Sequence, residues 1–171
     1  MPESILVWFR RDLRDHDHTA LSEALRRGRR IYCAFVFDRQ ILDSLPSRTD
    51  RRVEFIRESL VELDAALRHR GGGLIVRQGN AREEIPRLAQ ELGVDALFCN
   101  RDYEPQAKAR DARVESALEA LDIGFESFKD QAIFDGAEVL SLAGKPYTVF
   151  TPYKKAWLKR LGEEAWRPME C

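Results

Sequence analysis

The 171-residue chain has only three cysteines and three histidines, and its 28 lysines and arginines are offset by 29 aspartates and glutamates, for a formal net charge of −1. Cys33, Cys99 and Cys171 lie far apart, and the first two sit inside apolar runs. They show neither metal-ligand spacing nor a disulfide framework, and read as buried apolar side chains plus one thiol near the end of the sequence. The near-zero charge removes any global electrostatic drive toward nucleic acid and leaves only local basic patches. No run approaches the roughly 18 apolar residues that cross a bilayer. The opening Met1-Pro2-Glu3-Ser4 leads straight into a strand-like run, so a cytoplasmic protein without a membrane partner is expected. G-x-S-x-G, H-E-x-x-H, a P-loop lysine and G-x-G-x-x-G are all absent, which leaves hydrolytic and nucleophilic chemistry without a signature. His16 and His18 lack a third ligand nearby and read as a solvated loop entering a helix, so no metal is expected.

What the chain does have is a 44% hydrophobic content arranged in short blocks. Apolar runs of strand length recur at Ile5 to Phe9, Ile31 to Phe37, Leu74 to Val76 and Ala96 to Cys99, with a weaker one at Phe125 to Phe128. The clearest helical pattern runs from about Asp50 to Arg68. There Val53, Ile56, Leu60, Leu63 and Leu67 recur at steps of three and four. Further helices are expected over Thr19 to Arg27, Ala81 to Leu92, Pro105 to Leu121 and Tyr153 to Leu161. Gly71-Gly72-Gly73 follows a helix and precedes a strand, the reverse of a phosphate loop, and reads as a helix terminator. Strands apolar on both faces and separated by helices imply a parallel sheet covered on both sides. The expectation is an α/β fold, doubly wound, with a five-stranded sheet in the order 3-2-1-4-5. From Asp135 onward the pattern becomes irregular and ends in a basic, aromatic helix. The abrupt Pro168-Met169-Glu170-Cys171 suggests that a second domain is missing.

In open parallel sheets ligands bind beyond the carboxyl ends of the strands, near the point where strand order reverses. The residues there include Arg10, Arg11 and Asp12 after the first strand, Asp38 and Arg39 after the second, and Asn100, Arg101, Asp102 and Glu104 after the fourth. This set could hold a planar heterocycle with polar edges, because arginine donates in a fixed fork, the carboxylates accept, and Phe35 or Phe37 supplies an apolar wall. The same residues could instead be structural ion pairs, Arg11 with Asp38 or Asp102, neutralising the end of the sheet. Arg26-Arg27-Gly28-Arg29-Arg30 is most simply a helix C-terminus, where cations are favoured.

Three ordered segments are more specific. Trp8-Phe9-Arg10-Arg11-Asp12-Leu13-Arg14, followed by Asp17 and Ala20-Leu21, resembles the opening of the photolyase/cryptochrome family. Asn100-Arg101-Asp102-Tyr103-Glu104-Pro105, running on to Ala109-Arg110-Asp111, resembles that family's fourth strand and following helix. Tyr147-Thr148-Val149-Phe150-Thr151-Pro152-Tyr153 with Trp157 is similar to the segment that closes its antenna domain.

The resemblance covers essentially the whole chain. It implies the light-harvesting domain, residues 1–135, of a DNA-repair enzyme that splits UV-induced pyrimidine dimers with blue light and reduced FAD. Residues 136–171 would close that domain and begin a linker to a C-terminal domain that holds FAD and binds damaged DNA. By itself the fragment is then expected to carry no catalytic residue and to be inactive. The resemblance places the antenna chromophore against Phe35, Arg52, Asp102 and Glu104, with Asp38 and Leu42 on the rim, and the reading of the strand ends adds Arg11. It favours 8-hydroxy-5-deazaflavin or FMN over methenyltetrahydrofolate, because the glutamate of folate-binding members is replaced by Ala107; an empty pocket is the remaining option. A cryptochrome-type blue-light receptor shares these motifs and is the alternative. A nucleotide-binding stress protein is a remote one, since the acidic residues after the fourth strand would repel phosphate. Tyr147, Val149, Phe150, Tyr153, Trp157 and Trp166 would in part face the missing domain, so the fragment is expected to self-associate.

Overall fold

The computed structural model describes residues 2–47, 49–162 and 167–171. The expected alternation is present: β1 (Ser4–Phe9), α1 (Thr19–Arg27), β2 (Arg30–Asp38), a short α2 (Arg39–Leu42), α3 (Arg51–His69), β3 (Leu74–Gly79), α4 (Ala81–Leu92), β4 (Ala96–Asn100), α5 (Pro105–Glu119) and β5 (Gly124–Phe128). A single 3-10 turn, Gly136–Glu138, and α6 (Phe150–Arg160) follow. The five strands form one parallel sheet in the order β3-β2-β1-β4-β5. Among the described residues no helix is long and apolar enough to cross a membrane.

Every residue of β1 is buried because the strand is central and covered on both faces. On one face Leu6, Trp8, Val36 and Leu97 pack under Ile85 and Leu88 of α4 and Val114 and Leu118 of α5. On the other, Val7, Phe9, Phe35 and Phe98 pack under Leu21 of α1 and Leu60, Leu63 and Leu67 of α3. The 3.6-residue repeat read from α3 is thus the stripe that lies on the sheet.

The ends of α3 have identifiable causes. Asp50 is the N-cap, its carboxylate accepting from the Arg52 N–H. At the other end Gly71 takes a φ of +85° and the Gly72 N–H donates to the Leu67 carbonyl at 2.9 Å, which satisfies an otherwise orphaned helix acceptor. The helix near the end of the chain starts at Phe150, three residues earlier than expected. Pro152 falls in its first turn, where a missing N–H costs no helix hydrogen bond.

Candidate functional site

Strand order reverses between β1 and β4, because the chain leaves β1 for β2 on one side and returns through β4 on the other. The loops leaving these two strands are tied together by a buried polar cluster. Asn100, at the end of β4, donates through Nδ2 to Asp12 Oδ2 at 2.7 Å and accepts the Ala20 N–H at 2.9 Å. The other Asp12 oxygen accepts the Arg10 N–H at 2.8 Å. His18 is fully buried, with Nε2 2.9 Å from Asp12 Oδ2 and Nδ1 accepting the Leu21 N–H at 3.0 Å. An imidazole whose Nδ1 accepts carries its proton on Nε2, so His18 donates to Asp12 while capping α1.

This corrects the expectation of a solvated His18. The residue is indeed at the helix start, but its ring is enclosed, 4.6 Å from Phe9, and only His16 stays exposed. Burial would push the Asp12 carboxyl up; the His18 hydrogen bond and the Arg10 N–H overcome it and bring it down to about 2. Asp130 adds a second tie, accepting from the Thr19 N–H and hydroxyl and from Arg14.

Above this cluster the structure brings together three of the seven candidate ligand residues. Arg11 donates to Glu104 at 2.8 Å and lies 3.8 Å from the buried Asp102 carboxylate, while its own guanidinium is largely exposed. Phe35 faces the α1 and α3 side, buried and edge-on to Phe37 at 5.1 Å. Asp38 caps α2 by accepting the Gln40 N–H at 3.0 Å, and Leu42, half-buried, closes that helix. Arg52 folds back in a bidentate fork on Asp50, at 2.9 and 2.6 Å, which holds the Asp50 carboxyl at about 2. Among the described residues no hydrogen bond or ion pair joins the Arg11, Asp102 and Glu104 trio to Asp38 or Arg52. The trio thus lies at the switch point, with the other four residues on β2, α2 and α3 beside it.

The donors and acceptors in this set suit a planar heterocycle. Arg11 and Arg52 are exposed forks now resting on neighbouring carboxylates, and Asp38, Asp102 and Glu104 offer acceptors to ring N–H or hydroxyl groups. Two cavities lie near the sheet. One of about 270 Å3 lies between α5 and β5, and Asp102 alone of the seven residues lines it. The other, about 360 Å3, lies between α1 and α3, under Cys171. The basic cluster at the end of α1 is structural, as expected. Arg26 pairs with Glu23, and Arg27 pairs with Glu126 while stacking 4.3 Å over the Phe98 ring. Among the described residues no group of three or more histidine, cysteine or acidic side chains could hold a metal ion.

A doubly wound parallel sheet with polar loops at the β1/β4 switch point defines an α/β domain of the Rossmann-like class. The DNA photolyase family pattern matches residues 5–170, and the chain belongs to that family. It is 35% identical over 157 residues to the deoxyribodipyrimidine photo-lyase of Synechococcus sp., covering 92% of this chain and 32% of that protein. With the Escherichia coli photo-lyase the identity is 36% over 162 residues, covering 92% and 34%. A cryptochrome DASH of Gloeobacter violaceus is 32% identical over 130 residues, covering 74% of this chain and 26% of that protein. Among solved structures, a class III photolyase from Agrobacterium tumefaciens superposes with a TM-score of 0.83 at 27% identity, over 99% of this chain and 34% of that one. An archaeal photolyase from Sulfolobus tokodaii, solved with two FAD molecules, gives a TM-score of 0.71 at 34% identity, over 76% and 30%. The chain therefore spans about a third of the length of the curated relatives it matches.

Proposed function

We propose that this chain is the light-harvesting part of a deoxyribodipyrimidine photo-lyase, a lyase that repairs UV-induced pyrimidine dimers in DNA. The observation that carries the reading is the family match across residues 5–170, on a fold shared with photolyases. In this division of labour residues 1–135 form the antenna domain. Residues 136–171 close it and lead toward a C-terminal domain that holds reduced FAD and receives the flipped-out lesion from damaged DNA. The chromophore would lie against Arg11, Phe35, Asp38, Leu42, Arg52, Asp102 and Glu104, with the carboxylates accepting from ring N–H or hydroxyl groups. It would pass excitation to FAD by dipolar coupling.

A flavin-like antenna, 8-hydroxy-5-deazaflavin or FMN, is favoured over methenyltetrahydrofolate. The S. tokodaii photolyase carries two FAD molecules, and Ala107 here is a buried apolar residue of α5 with no carboxylate to offer a pterin. The second reading, a blue-light receptor, is favoured by the cryptochrome DASH relative.

Three measurements test these readings. Absorption spectra of the intact protein, as purified and after incubation with each chromophore, identify the antenna. Loss of flavin binding in Asp102→Ala and Arg52→Ala is expected, and unchanged binding in both sinks the site assignment. Blue-light-dependent loss of pyrimidine dimers from irradiated DNA is the outcome expected of a photolyase. Its absence in flavin-loaded protein favours the receptor.

A further inference from the structure

The cavity of about 270 Å3 between α5 and β5 lies on the side of β4 away from β2, α2 and α3. Its polar lining sorts into groups already engaged and groups left over. Arg101 is held by Asp135 at 2.8 Å, Asp111 takes both Arg10 and Arg110, and Asp102 faces Arg11. The Tyr103 hydroxyl is buried and has no hydrogen-bond partner. Among the described residues Lys108 and Glu115 make no ion pair and Ser127 no side-chain hydrogen bond, and all three line the same cavity.

The Tyr103 ring is half-buried, but a buried hydroxyl normally finds a partner, because leaving it unpaired forfeits its hydration without return. Its position in a cavity wall, rather than in the packed core, points to a partner that enters from outside. Burial first, and then the Asp135 charge, raise the Tyr103 pKa. The hydroxyl therefore keeps its proton and can both donate and accept.

The remaining groups define the shape and charge of that partner. Lys108 and Glu115 are seven residues apart on one helix, about 10 Å along its axis, with Ala112 between them and Phe125 on the facing strand as the apolar wall. Lys108 and Glu115 cancel, and the engaged acids are matched by arginines, so the cavity has no excess charge with which to hold a phosphate. We propose that this groove binds a neutral, planar, hydrogen-bonding heterocycle of nucleoside size. Its ring rests on Phe125, Tyr103 is its buried anchor, and Glu115, Ser127 and Lys108 read its edges. Of the seven residues of the antenna reading the site shares only Asp102, which lines the cavity but faces Arg11, and none of its proposed ligand contacts comes from that set.

Adenosine and guanosine are the probes, with AMP as the charged control, titrated into the intact protein by calorimetry and by ligand-observed NMR. Saturable binding of at least one nucleoside is expected, tighter than that of AMP. Tyr103→Phe should weaken it about tenfold without lowering the melting temperature. Ala112→Trp, which fills the groove from an exposed helix position, should abolish it, while Arg52→Ala should leave it unchanged. The proposal is overturned if neither nucleoside binds saturably at millimolar concentration. Equal affinity in wild type, Tyr103→Phe and Ala112→Trp overturns it too, as does AMP binding more tightly than the nucleosides.

Discussion

Three backbone and side-chain donors converge on Asp12, and a fourth group, the Ala20 N–H, is satisfied by the Asn100 that touches it. Asp12 thereby ties the exits of β1 and β4 together in the interior, as Glu104 does at the surface through Arg11. Its carboxyl is held at about 2 against an ordinary 3.8, so the sign of the linkage is fixed. The stabilisation is present in full above pH 4 and is lost as the pH falls through the folded value, an effect on the order of 2 kcal/mol. Urea unfolding at pH 5 and pH 2.5 should therefore show Asp12→Asn to be less stable than wild type at pH 5 and to lose less on acidification. A parallel loss in both proteins would place the acid sensitivity elsewhere. The cysteines give a second residue-scale test. Burial pushes the thiols of Cys33 and Cys99 up to about 12, whereas Cys171 is only half-buried. In the folded protein one thiol should react rapidly with an aromatic disulfide reagent, and the other two only on denaturation. Mass spectrometry of the modified peptides identifies which.

Among the elements, the passage from α1 to β2 is tightly packed. A Cβ on Gly28 would stand 2.8 Å from the Ile31 side chain, 2.9 Å from that of Ile5 and 3.2 Å from the Ala24 carbonyl. Gly28→Ala is therefore expected to cost about 1–3 kcal/mol by overpacking, seen as a lower melting temperature, whereas Gly162→Ala, with open space around it, should be silent. Most of this architecture was legible in the sequence. Apolar central strands can only be covered on both sides, which sets helices on both faces, and right-handed crossovers then leave few orders, of which 3-2-1-4-5 is the one observed. The boundaries of α1 and α4 follow from the apolar stripe and the polar cap that precedes it. What could not be read was the polar cluster. Asp12 and Asn100 are visible as strand-end residues, but the contacts of Asn100 with Asp12 and His18 span 88 and 82 residues and exist only once β1 and β4 are neighbours. Of the two pairings read for Arg11, the one with Asp102 is present at 3.8 Å and the one with Asp38 is not, whereas its closer partner Glu104 and the fork of Arg52 on its own helix cap were not legible. Local capping competes with any ligand for that guanidinium, and no periodicity reports it.

At the scale of the molecule, the region after β5 differs from the sheet in how its aromatics are used. Trp157 packs edge-on to Phe134 at 5.5 Å and Tyr153 to Tyr147 at 6.1 Å. Val149 and Phe150 are 59% and 72% exposed and Leu158 is 51% exposed, while Trp166 lies outside the described residues. On the proposed reading this is the side that meets the FAD domain. The 171-residue chain should then sediment with a concentration-dependent average mass, and Phe150→Glu with Leu158→Glu should return it to a monomer. A monomeric wild-type chain at all concentrations would remove the argument for an interface here.

β1 is the first made of these five strands and the innermost in the sheet, and it joins partners of very different age. Ile5 pairs with Ile31 on one edge and with Ala96 on the other. At typical translation rates the second partner follows on the order of ten seconds after the first strand. Through that interval a six-residue segment, all of it buried in the finished protein, has one edge without a neighbour. A nascent chain stalled before β4 would present that edge to other nascent chains on the same message, and it is there that a chaperone or a slow codon would matter most.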